Sequence, residues 1–564
     1  MNALRKFEPI YILWAAVIVF VVAAILIPLA YLLAASITGE SGIFGHYVRT
    51  LSTPGTVRAA VNTLIYVGGV SALSVIVGVP LAFLVERVNI APSAAKLLRL
   101  SIIATVVTPG FLMAMAYVNL LGPNAGVINV WLRDLFGLGI SKGPINIFSL
   151  PGVLLLGTQS AVAFVFLVTS ASLAKMNPEF EEASEITGAG RLRTITRITL
   201  PLVRNAIYAG ALVSLAGALT DYGVPHMLGY TVLTLRIREY MLGGDFAGAA
   251  AVSMLLVAFS IFVLALYRRS IRGNNFAIVG GKGYQPKKID IGAWRWAFNA
   301  FAVIYVCVTI IVPVAGLVMV SFLRSLGRGF SVDNLTTRHY YNILFRDDLA
   351  FRSFINSMLL SISTAVVASL LALVIAYLIV RRRNILTSAL DYLSVLPTGI
   401  AGTALAVAII LTVTNAPFAT LSLYGTLWVL FIAYFIRNFP LAVRPIQTTI
   451  MQLSPELEEA ARLAGASWLH STRTIIVPLI LPGILAGAVL VFLASLTEVS
   501  ASIILRHIGT DTVSTAILDI WDSGGGYQQA SAFAVCIFVT MVAIALLAQL
   551  AQRKSKLTDQ DFGR

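Results

Sequence analysis

Cysteine is nearly absent. Two residues in 564, Cys307 and Cys536, both inside apolar runs, exclude a disulfide framework and a thiolate metal site. Histidine is scarce too, and His46, His226, His339, His470 and His507 show no compact ligand spacing, so no metal site is expected. The chain has no Gly-x-x-x-x-Gly-Lys-Ser/Thr, hence no loop that cradles nucleotide phosphates, and it carries no catalytic constellation. Charged residues are only 12% against 58% hydrophobic, with a mean hydropathy of +0.89, which excludes a soluble core and places the chain in the membrane class. The formal net charge of +15 would suit nucleic acid, but the basic residues are scattered at the ends of apolar runs with no aromatic-basic stripe. Nucleic acid is therefore not expected as a partner; membrane orientation accounts for the charge.

A membrane span needs ~20 mostly apolar residues. After a short polar start with Arg5 and Lys6, the first run extends from Tyr11 to about Ala35, too long for a signal-peptide core, and reads as an uncleaved span rather than a leader cleaved near Ala34 or Ala35. Further runs lie at about 62–85, 97–121, 150–173, 205–220 and 247–267, then at about 296–322, 354–379, 390–413, 423–442, 481–496 and 530–551. Between the two sets, 268–295 is rich in Gly and basic residues and reads as a linker. The expectation is an all-α polytopic membrane protein of about 12 transmembrane helices: a first repeat over 1–267, a cytoplasmic linker over 268–295 and a second repeat over 296–564. An even number of spans per half makes the repeats parallel.

Two charged islands interrupt the apolar pattern. In Ser454 to Pro478, Ser454 is placed as an N-cap, Pro455 suits the first helical position, and Glu456, Glu458 and Glu459 sit at the positive end of the helix dipole. Gly465 is placed to end that helix, and a second short helix is expected over 466–474 until Pro478 breaks it. Asn177 to Pro201 repeats this construction without a gap: Pro178, Glu179, Glu181, Glu182, Ala183, Gly188, Ala189 and Pro201 fall on Pro455, Glu456, Glu458, Glu459, Ala460, Gly465, Ala466 and Pro478 at one constant offset. The repeat extends to Arg58-x-x-x-Asn62 with Arg352-x-x-x-Asn356, and to Leu219-Thr220-Asp221 with Leu496-Thr497-Glu498. With both termini and both islands on the inside, most of the Lys and Arg also fall inside, as the positive-inside rule requires, although 324–352 on the outside is itself basic.

Both islands fit Glu-Ala-Ala, three residues, Gly, nine residues, Ile-x-Leu-Pro, with Ser184 for Ala and Val477 for Leu as departures. The chain thereby resembles the inner-membrane permeases of binding-protein-dependent ABC importers, whose EAA loop this is. The resemblance implies the type I permease fold and a prokaryotic plasma (inner) membrane location. It implies coupling to a separate ABC ATPase dimer through Glu182, Ala183, Gly188, Glu459, Ala460 and Gly465. ATP and Mg would sit on that ATPase, no cofactor on this chain, and an extracytoplasmic binding protein would deliver the substrate. Fusion of two permease domains, with Asp221-Tyr222-Gly223-Val224-Pro225 and Thr497-Glu498, is similar to the ferric-iron type; thiamine, polyamine or phosphonate importers are the alternatives. An ion-gradient-driven secondary transporter explains the repeat but not the twin loops, and a non-transporting scaffold leaves the paired carboxylates unexplained.

A carboxylate in the hydrocarbon core is costly, so Thr220, Asp221, Thr497 and Glu498 are candidates for the translocation path, the competing reading being solvated residues at the outer interface. Arg437, near the end of its run, reads first as snorkelling to the cytoplasmic surface and second as partner to a carboxylate. Asp245, Asp511, Asp519 and Asp522 read as solvated outer charges, with binding-protein contact as the alternative.

Overall fold

The computed structural model describes residues 9–38, 42–137, 142–177, 179–272, 288–326, 331–382, 384–465, 467–524 and 526–561. Among them the fold is helical, and β-type pairing is confined to the isolated bridges Val88–Ile289 and Leu323–Leu335. Ten helices are long and apolar enough to cross a membrane, and two bent helix pairs bring the number to 12 if each pair is one span. The pairs occupy the third place in each half, so the halves have the same order of elements. Most of the linker falls outside the described residues; its end is tied to the first half by Ile289, whose amide donates to Arg87 O at 2.7 Å.

The bent pairs correct the expectation of continuous spans at 97–121 and 390–413. Pro92–Val106 meets Gly110–Leu121 at 106°, and Ile385–Gly399 meets Gly402–Thr414 at 109°. In the first pair, Thr108 stands before Pro109 at φ −78°, ψ 122°, because a following proline ring disfavours helical backbone. A hydropathy run is blind to such a turn, since the residues stay apolar while the axis changes direction.

Pro478 does not break the helix after the second EAA loop, another correction. Trp468–Ser471 passes through a π-helical turn, Thr472–Ile476, into Val477–Leu496, and the first half repeats this with Ile195–Thr199 ahead of Leu200–Leu219. A third such turn, Cys307–Ile311, precedes Pro313. The wider turn removes the i−4 hydrogen bond that a proline could not donate and gives its ring room, so the helix continues.

Small residues fix the helix crossings, as expected where lipid supplies no hydrophobic drive and close backbone approach must do the work. A Cβ on Gly210 would stand 2.8 Å from Val165 Cα, and one on Gly487 would stand 3.1 Å from Ala442 Cα; the two crossings are equivalent in the repeat. The first span of each half packs across onto the other half. Trp14 and Phe20 meet Tyr377 and Phe435, while Tyr117 and Gln159 donate to the carbonyls of Val308 and Thr309, both at 2.6 Å. The repeats of the sequence are thus interlocked in space.

Candidate functional site: twin loops and a central cavity

Each loop is a short helix closed by a left-handed glycine. Glu179–Ile186 and Glu456–Leu463 carry three glutamates in the first turn, and Gly188 and Gly465 lie at φ +81° and +83°, which L side chains rarely adopt. The Ser454 hydroxyl accepts from the Glu456 amide at 3.3 Å, and Asn177 Oδ1 accepts from the Glu179 amide at 3.1 Å. Of the residues expected to couple, Glu459, Ala183, Ala460, Gly188 and Gly465 are exposed and Glu182 is half-buried.

The glutamate just before the motif, read in the sequence only as a first-turn charge, anchors each loop to the permease. Glu458 Oε1 accepts from Arg381 Nε at 2.7 Å and its Oε2 from the Tyr377 hydroxyl at 2.8 Å; Glu181 lies 3.3 Å from Arg87 Nη1 and accepts from Thr199 at 2.7 Å. Arg87 and Arg381 are the last residues of the second spans, Pro54–Arg87 and Asp348–Arg381. Each loop helix is therefore held at the C-terminal end of a span it does not follow in sequence. The signal was available: Arg87 and Arg381 keep the offset of Arg58 and Arg352.

A cavity of about 450 Å³ lies between the halves and is lined by both. Thr220, Asp221, Thr497 and Glu498 all line it, as do Pro109, Pro397 and Thr398 at the two bends. Equivalent positions of the two halves line it together: Ser160 and Arg437, Phe164 and Leu441, Asp221 and Glu498. The carboxylates thus line one cavity shared by the two halves. Asp221 accepts from the Tyr66 hydroxyl at 2.6 Å and the Val224 amide at 3.3 Å. Glu498 accepts from the amides of Ala501 and Ser502 at 2.9 and 3.0 Å and from the Ser502 hydroxyl at 2.7 Å. Arg437 does not snorkel: its Nε stands 3.7 Å from Glu498 Oε1, and Gly402 makes room, since a Cβ there would lie 2.6 Å from Arg437 Nη1. Hydropathy counts the run that holds Arg437 but not which way the helix is rotated.

Asn62 and Asn356, the repeated asparagines, pin the loops that follow these carboxylates. Asn62 donates to Thr231 O at 2.9 Å, and Asn356 to Gly509 O and Asp511 O at 3.1 and 2.9 Å. The outer aspartates are paired within the chain: Asp245 with Arg49 at 2.8 Å, Asp519 and Asp511 with Arg506, Asp522 with His226 at 3.2 Å. The described residues contain no group of three or more His, Cys, Asp or Glu placed to hold a metal ion.

The family described as binding-protein-dependent transport system inner membrane component matches residues 74–274 and again 368–556. A ferric transport system permease protein of Actinobacillus pleuropneumoniae is 27% identical over 515 residues, covering 90% of this chain and 73% of that protein. A putative ferric transport system permease of Haemophilus influenzae is 27% identical over 81% of this chain and 72% of its own length. A putative 2-aminoethylphosphonate transport system permease of Salmonella typhimurium is 25% identical over 46% of this chain and 96% of its own length.

Proposed function

The chain belongs to the family of binding-protein-dependent transport inner membrane components, present in both of its halves, and from that premise we propose that it is the fused permease of an ATP-driven importer of ferric iron. Two relatives matching more than four-fifths of the chain are named for ferric transport, which supports the substrate. The observation that carries the coupling role is the pair of loops. Besides matching turns and anchors at equivalent positions, each presents an apolar side chain at the same position: Ile186 is 86% exposed and Leu463 is 90% exposed. Apolar side chains so exposed on a charged loop suit a protein partner. With no phosphate cradle in the sequence, that partner is a separate ATPase dimer, which binds ATP and Mg. Closure of the dimer would move both loops, and through Arg87 and Arg381 the second spans that flank the cavity. The excess of Lys and Arg in the segments shared with the loops supports both termini and both loops in the cytoplasm, with the binding protein on the opposite side.

The experiment is uptake of radio-iron into proteoliposomes holding permease and ATPase, with binding protein supplied on the substrate side. ATP-dependent accumulation is expected; accumulation that persists without nucleotide would reject the ATP-coupled reading. Uptake of 2-aminoethylphosphonate in place of iron would select the second reading, which the Salmonella relative supports. For orientation, single cysteines replacing Ile186 and Leu463 should react with an impermeant reagent only from the cytoplasmic side. These positions serve better than Ser184 and Ala461, which are buried.

A further inference from the structure

Arg437 is the one cation among the described residues that line the central cavity, and its hydrogen bonding is incomplete. Nε is 3.7 Å from Glu498, beyond hydrogen-bond reach, and Nη1 is buried without a partner, while the side chain as a whole stays 23% exposed. The carboxylates do not share this deficit. Asp221 is supplied by Tyr66 and Val224, and Glu498 by Ala501 and Ser502, so both are satisfied without the arginine. Ser214, fully buried and lining the same cavity from the first half, also has an unpartnered hydroxyl. Arg437 Nη1 therefore lacks an acceptor, and a desolvated charged donor is costly until one arrives.

Charge leads to the same conclusion. Two carboxylates and one guanidinium leave the cavity with one formal negative charge, so a bare trivalent cation would leave an excess of two positive charges in a low-dielectric site. An oxyanion bound to that cation brings the sum close to zero. We propose that Arg437 receives an oxyanion of the transported species, so that the cation crosses with a phosphate-, phosphonate- or carboxylate-type ligand rather than alone. The proposal rests on reading the cavity as the substrate path. Ser160 holds the equivalent place in the first half, so the oxyanion is held on the Arg437 side while the cation faces Asp221. A planar guanidinium presents paired donors that match such an oxyanion.

The test uses the complete transporter in proteoliposomes, with radio-iron and radiolabelled inorganic phosphate supplied together and separately. In the unaltered protein, phosphate should raise iron uptake and both labels should accumulate in a fixed ratio. Arg437→Gln should lower the phosphate-dependent uptake about tenfold, the size expected for one charge-assisted contact, and Arg437→Lys should lower it less. Membrane amount and ATPase stimulation, both near normal, exclude misfolding of the variant. Phosphate entering without iron would uphold the oxyanion site and reject the ferric reading. Iron entering equally with and without phosphate, in both the unaltered protein and Arg437→Gln, would reject the oxyanion site and leave the ferric reading standing. Entry of neither label, while the binding protein still stimulates ATP hydrolysis, would overturn both.

Discussion

The two halves place a carboxylate at the same point of the same backbone and surround it differently. Asp221 in the first half is held by a tyrosine hydroxyl and one amide, and the nearest equivalent of Arg437 is Ser160; Glu498 in the second half is held by two amides and a serine hydroxyl, with Arg437 at 3.7 Å. The loops differ in the same graded way. Glu458 has a close ion pair with Arg381 and a tyrosine hydroxyl, whereas Glu181 has a longer contact to Arg87 and a threonine. Parallel duplication thus preserves the position of a charge while leaving its compensation free to diverge, because the backbone is set by helix crossings and the compensation by single side chains. A fused chain uses this freedom: one cavity acquires two unlike walls.

The largest effect is expected where the closer anchor is cut. Arg381→Ala leaves Glu458 buried without its cation, a loss of about 3–5 kcal/mol for a broken buried pair, and should abolish ATPase co-purification through the second loop. Arg87→Ala should do less through the first loop, since the Glu181 contact is longer and Glu181 is more exposed; equal losses in co-purification would remove the asymmetry.

Next in size is the cavity. Asp221→Asn with Glu498→Gln removes two charges but little volume, and iron uptake should fall by at least about tenfold, each charged contact being worth about 1.5–3 kcal/mol, with ATPase docking unchanged. Normal uptake by the double variant would refute the path and leave the family assignment intact. Smaller again, Gly188→Val or Gly465→Val forces a β-branched residue into left-handed backbone at a cost of about 1–2 kcal/mol, enough to weaken stimulated ATP hydrolysis several-fold while insertion into the membrane is retained. No change in the pair of variants would deny the turns a role in docking. The smallest effect is expected from Asp221→Glu, which makes the two halves alike in charge and length and should shift uptake only about two- to threefold, less than the ~1.4 kcal/mol that a tenfold change represents. A loss as large as that of the double variant would show that the first wall depends on the shorter side chain.

Much of this organisation can be read without coordinates. Caps, acidic first turns and the glycines at Gly188 and Gly465 are local chemistry, so the loop helices and their left-handed ends follow from neighbouring residues alone. The duplicated register reveals two halves, and apolar length counts their spans. What the run lengths conceal is direction. The bends beside Pro109 and Pro397 lie within uninterrupted apolar sequence, and Pro478, read as a break, is absorbed like its equivalent Pro201 by a π turn that only the continuing helix can justify.

The sequence by itself determined class, repeat and the two loops, because each depends on composition or on contacts within a few residues. Tertiary structure decided which buried charges meet. Arg437 belongs to the cavity and not to the cytoplasmic surface because the rotation of its helix, set by the packing of Ala442 against Gly487 one turn further on, aims it at Glu498, and Gly402 leaves it space. Arg87 and Arg381 reach glutamates 77 or more positions away, since loop and span end converge only when the bundle closes. Such pairings are set by rotation and proximity between helices, and those quantities exist only once the chain is packed.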